Sequence, residues 1–154
     1  MQVNSFIEMM ERKPCLLISD ANYRPLAKEG KEGMEWSIVV PKTEKRFKTV
    51  FLLERLEDSL YPVETLQVAW DLVEQGGYLL ALIRGPVAFT AQNIKLKMVN
   101  LLDKKEWKKH FEALGGELRL SWGVRPDINP GQWYFYFIVR KPLDPVKELL
   151  TVKP

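Results

Sequence analysis

Few residues in this chain can do chemistry, and their spacing limits what kind. One cysteine, Cys15, and one histidine, His110, exclude an internal disulfide and a zinc site of the usual Cys/His kind. The remaining candidates are carboxylates and guanidinium groups that stand just after apolar runs. Asp20 follows Cys15 to Ser19, Glu54 and Arg55 follow Thr49 to Leu53, and Arg84 follows Tyr78 to Ile83. If those runs are strands, the three positions lie beyond strand ends, where open α/β sheets bind ligands. A carboxylate there accepts hydrogen bonds from a hydroxyl or ammonium group, or acts as a base when burial raises its pKa. Arg84 suits a carboxylate or phosphate, held bidentately. Each candidate also has a structural reading. Asp20 and Asn22 can shape a turn, Glu54, Arg55, Glu57 and Asp58 can form a mixed-charge loop, and Arg84 can pair with Glu54 or Glu57.

The element that positions these residues is Phe47 to Arg84. Thr49 to Leu53 is too short for a globular helix and reads as a buried strand. Leu66, Ala69, Trp70 and Val73 then recur at helical spacing after Pro62, Gly76-Gly77 stands where a helix would stop, and Tyr78 to Ile83 is a second apolar run. Strand, helix and strand in this order form a βαβ crossover with parallel strands. Arg84-Gly85-Pro86 ends the second strand with turn chemistry.

Around that unit, Ser5 to Glu8 has capping-box spacing and opens a short amphipathic helix that ends before Pro14. Trp36 to Val40 reads as a strand stopped by Pro41. Asp103 to Glu106 repeats the capping box, and Trp107, Phe111 and Leu114 give the following helix its apolar stripe. His110 sits near the edge of that stripe, as a partly exposed helix histidine. Glu117 to Val124 and Trp133 to Arg140 read as a hairpin, and Asp144-Pro145 starts a last short helix. The fold class is α/β: a Rossmann-like, mostly parallel sheet flanked by helices, with a C-terminal antiparallel hairpin.

With 154 residues, 46% of them hydrophobic, the chain is expected to form a single domain over 1–154 with a core of its own. No apolar stretch is long enough to span a bilayer, so no membrane partner is expected and the location is read as cytoplasmic. The formal charge of +3 admits an acidic partner without arguing for one. The basic run Pro41 to Lys48 and the aromatics of Trp133 to Phe137 would suit nucleic acid, and binding would then fall steeply with salt. Such a run is more often solvated surface, and such a strand more often core.

The central unit resembles the second half of a class I S-adenosylmethionine-dependent methyltransferase. Glu54-Arg55-Leu56-Glu57-Asp58 stands at the family's E-x-L-E-H segment after the fourth strand, and Gln75-Gly76-Gly77-Tyr78-Leu79 at its P-G-G turn before the fifth. Leu102 to Leu118 is similar to the helix that follows, and the two last strands to the closing hairpin. The resemblance implies transfer of a methyl group from S-adenosylmethionine to an unidentified acceptor. Glu54 and Arg55 would line the cofactor and acceptor cleft, Asp20 would take the ribose hydroxyls, and Arg84 with Val87 to Leu102 would meet the acceptor. The chain departs from the family at Asp58, where histidine is common, and has no D-x-G-x-G turn after its first strand. Only about 46 residues precede the Phe47 strand, counted along the sequence. A second implication is a binding or regulatory module without a working cofactor site, a homo-oligomer or a subunit paired with an active homologue.

Overall fold

The computed structural model describes residues 12–27, 33–87, 102–124 and 132–143. The strands are β1 Cys15–Ile18, β2 Met34–Ser37, β3 Phe47–Leu53, β4 Val73–Val87, β5 Glu117–Val124 and β6 Gln132–Arg140. The helices are α1 Pro62–Asp71 and α2 Lys104–Glu112, with a short 3-10 helix at Ala21–Leu26. They form one six-stranded sheet in the order β2-β1-β3-β4-β6-β5. The pairs β1–β2, β1–β3 and β3–β4 are parallel, while β6 runs antiparallel to both β4 and β5. This is the expected α/β architecture. The sequence segments at Ser5 to Glu8, Lys28 to Glu32, Ala88 to Leu101, the hairpin loop and Asp144 onward lie outside the described residues.

The buried strands alternate between two cores, one on each face. Leu16, Ile18, Val50, Leu52, Leu79, Ala81 and Phe137 point to the face covered by α1 and α2. Cys15, Leu17, Phe51, Leu53, Leu80, Leu82 and Ile138 point to the other. Both faces of β1 and β3 are therefore dry, as their unbroken apolar runs require. On the helical face, α1 contributes Leu66, Ala69 and Trp70, and α2 contributes Trp107 and Phe111. Phe111 stacks on Phe137 at 4.4 Å between ring centroids.

Both helix starts follow from local chemistry. Asp103 caps α2 by accepting from the Glu106 N–H at 2.9 Å while Glu106 reaches back to the Asp103 N–H, a complete capping box. Proline stands in the first turn of α1, where a missing N–H costs nothing. Lys141 closes the other end of α1, its ammonium donating to the Trp70 carbonyl at 2.8 Å and lying 5.0 Å from the Trp70 ring centroid.

Three boundaries differ from the sequence reading. β2 covers Met34–Ser37 rather than Trp36 to Val40, because the Ser37 hydroxyl bonds the Val39 carbonyl and turns the chain out, leaving Ile38 50% and Val39 64% exposed. α1 ends at Asp71, so Val73 belongs to β4 and Gly76-Gly77 lies within that strand. The glycines serve a bulge: the register slips between Phe47↔Val73 and Thr49↔Tyr78, Gly76 has φ 84°, and a Cβ on Gly77 would sit 2.6 Å from the Lys48 carbonyl. Likewise Arg84-Gly85-Pro86 does not end β4. The strand continues through a second register shift to Val87, and Gly85 leaves room for the Phe135 ring.

Two further features shape the site. β1 lies between β2 and β3, so the chain winds one way from β1 to β2 and then back past β1 to β3. The carboxyl ends of β1 and β3 thus form a topological switch point. The crossover from β2 to β3 is only the segment 38–46, with no helix in it. No helix among the described residues is long and apolar enough to cross a membrane.

Candidate functional site

Beyond Ile18 the chain turns at once. Buried Ser19 accepts the Trp36 indole N–H at 2.9 Å, and Asp20 accepts the Asn22 N–H at 2.9 Å, capping the 3-10 helix. That helix carries Tyr23 over the end of β3, where its hydroxyl donates to the Glu54 carboxylate. Glu54 has φ 54°, a left-handed conformation unusual for a glutamate. Its N–H still reaches the Leu82 carbonyl at 2.7 Å, so the β3–β4 ladder extends one residue past the strand.

The turn after Glu54 buries both Leu56 and Glu57. Glu57 Oε2 accepts the Arg84 backbone N–H at 2.5 Å and its Nε–H at 3.2 Å. The Arg84 guanidinium also donates to Asp58 Oδ2 at 2.7 Å and lies 3.5 Å from Glu54 Oε1. One cation on β4 thus holds three carboxylates of the turn that follows β3. Glu57 Oε1 is buried and has no hydrogen-bond partner among the described residues.

The protonation chemistry follows from burial against that single cation. Loss of solvation pushes the Glu57 carboxyl from 4.5 up to about 7, although the Arg84 N–H and guanidinium pull the other way. Burial likewise raises Glu54, opposed by the Tyr23 hydroxyl and Arg84. Burial would lower the Arg84 pKa, but Glu57, Glu54 and Asp58 hold it above its usual value. Tyr23 and Tyr134 are both raised, by burial first and then by Glu54. At neutral pH the phenols remain donors and Glu57 sits near its midpoint.

The structure brings Asp20, Glu54 and Arg84 to one end of the sheet. Asp20 serves as a cap, and Arg84 is engaged by the three acids. Arg55 stands apart: its Nε donates to the Ile38 carbonyl at 3.4 Å. There it lines a groove of about 650 Å³ between the 38–46 crossover and α1, with Ile18 inside and Val39, Val40 and Val68 among its walls. The acceptor segment that the resemblance assigned to Val87 to Leu102 lies almost wholly outside the described residues. The basic run is tied locally, Lys45 to Glu35 and Arg46 to two neighbouring carbonyls. His110 is half-buried on α2, with its ring 6.0 Å from that of Trp107.

Sequence reasoning missed Tyr23 and Tyr134, and it saw Glu57 as one charge of a loop and a pairing partner for Arg84, without its burial. Burial of Glu57 has a faint signal, in that an acid directly after Leu56 and near strand ends must find a cation if the turn packs inward. Nothing in the spacing marks either tyrosine.

No protein-family model matches the chain, and no curated protein matches it in sequence. Solved structures do match. A SAM-dependent methyltransferase from Thermotoga maritima is 12% identical with a TM-score of 0.62, over 90% of this chain and 87% of that one. The magnesium protoporphyrin IX methyltransferase of Synechocystis, solved with SAH bound, is 9% identical with a TM-score of 0.62, over 90% of this chain and 80% of that one. The cyclase SpnF is 12% identical with a TM-score of 0.58, and the match spans 80% of this chain and 60% of the cyclase. At such identities the likeness is one of fold. The strand order, the parallel β3–α1–β4 unit and the closing hairpin agree with it, and the chain has the class I S-adenosylmethionine-dependent methyltransferase-like fold.

Proposed function

We propose that this chain is a methyltransferase-fold binding module without a working S-adenosylmethionine site. One observation carries the reading: the polar groups at the switch point are already spent on one another. A glycine-rich turn after the first strand lets backbone approach a cofactor closely. Here that position holds a 3-10 helix over Ala21–Leu26 with no glycine, and its Tyr23 is bonded to Glu54. Asp20, read from sequence as a ribose ligand, bonds its own helix, and Arg84 is ion-paired with Glu54, Glu57 and Asp58. The residues present do not fit the cofactor in the way the resemblance implies.

A second reading is the enzymatic one, methyl transfer from S-adenosylmethionine to an unidentified acceptor. The groove beside Arg55 favours it, since a cleft of about 650 Å³ at the carboxyl ends of parallel strands has the size and place of a ligand site. Solved proteins of this fold with SAH bound support the same choice of ligand.

Calorimetric titration with S-adenosylmethionine and S-adenosylhomocysteine separates the two. The module reading expects no saturable heat at millimolar ligand. Micromolar binding that disappears in folded Asp20→Ala or Glu54→Ala variants would overturn it and establish a cofactor site.

A further inference from the structure

The described surface has one concentrated apolar region. Of the nine large hydrophobic side chains that are exposed, Ile38, Val39, Leu60, Tyr61, Val63 and Val68 belong to the start of the 38–46 crossover or to α1 and the residues just before it. Ile38, Val39, Tyr61 and Val68 line the groove itself. Tyr61, Thr65 and Val68 fall on one flank of α1, three and four residues apart, while Leu66, Ala69 and Trp70 turn into the core. The helix therefore has a second apolar edge. Contiguous exposed patches of this kind mark contact surfaces, whereas scattered single side chains do not.

The rim gives the patch a direction. On the crossover side stands Lys42, on the α1 side Glu64, both exposed, and neither is ion-paired to a described residue. A face with a cation along one edge and an acid along the opposite edge is complementary to itself under two-fold rotation. An isologous contact needs that property, because each patch must meet its own copy.

We propose that this face joins two copies of the chain, the α1 flank of each closing the groove of the other. Ile38, Val39, Tyr61 and Val68 form the dry centre, and Lys42 faces the partner's Glu64 twice, once on each side of the axis. The proposal rests on the module reading, because the groove it closes is the cleft that the enzymatic reading gives to a ligand.

Sedimentation equilibrium of the full chain, from micromolar to near-millimolar concentration, tests it. The wild type should show a reversible monomer–dimer equilibrium. Val68→Asp puts an unpaired charge in the dry centre and should weaken the dimer by at least about tenfold. Lys42→Glu and Glu64→Lys should each weaken it by about threefold to tenfold, and the double variant should recover to near wild type, because the exchanged charges face each other again. All three positions changed are exposed, so thermal melting should be preserved and dissociation cannot be blamed on unfolding. A monomer at every concentration overturns the proposal, as does a dimer indifferent to Val68→Asp. Failure of the double variant to recover overturns the two-fold arrangement.

Discussion

Glu57 offers the sharpest quantitative prediction. Its carboxyl is fully buried, with Oε2 on Arg84 and Oε1 without a hydrogen-bond partner among the described residues, and burial moves it from 4.5 to about 7. The folded chain therefore holds a proton there that the unfolded chain has already lost at intermediate pH. Where the native state binds more protons, stability falls as pH rises. The contribution is full below pH 4.5, declines between 4.5 and about 7, and levels off above. The displacement from 4.5 to about 7 corresponds to about 3 kcal/mol. Urea unfolding of wild type and Glu57→Gln at several pH values isolates this group, since other titrations cancel in the difference. The wild-type minus variant stability should fall by about 3 kcal/mol across that window. A difference that stays flat or rises with pH would refute the reasoning, and would mean that Arg84 outweighs burial.

Removing the cation should do the reverse kind of damage. Arg84→Ala leaves Glu57 buried beside Glu54 and Asp58, and should cost about 3–5 kcal/mol at pH 8, with part recovered at pH 5, as urea unfolding would show. Away from the site, Phe111→Ala removes the ring stacked on Phe137 under a fully buried α2 face. It should cost about 3–5 kcal/mol with no change in the pH dependence assigned to Glu57.

Much of this fold was legible because it rests on local signals. The capping box at Asp103, the apolar runs of β1, β3 and β4, and the aromatic strand β6 each specify their elements within a few residues. The errors fell where a local signal had two meanings. Gly76-Gly77 looks like a helix stop, yet the same freedom serves a bulge inside β4, and only pairing with β3 decides between them. Ile38 to Val40 has strand composition, but its partner β1 ends at Ile18, paired with Ser37, and Ser37 turns the chain away. At the site, strand-end positions led to Asp20, Glu54 and Arg84, because topology places strand ends together. The pairing of Arg84 with Glu54 and Glu57 was among the readings of those residues, whereas the tyrosine contact was not legible. The Tyr23–Glu54 bond spans 31 positions by difference of the two numbers, and no spacing rule connects a short turn to the end of a strand so far along the chain.

The central claim, that the strand-end groups are spent on each other and leave no cofactor site, is tested most directly by unfolding with and without S-adenosylhomocysteine. A ligand bound at the native site and supplied at about 100 times its Kd adds about 2.7 kcal/mol to the unfolding free energy. The account predicts an unchanged urea midpoint for the wild type in millimolar S-adenosylhomocysteine. A shift of that size, absent in Glu54→Ala, would contradict it.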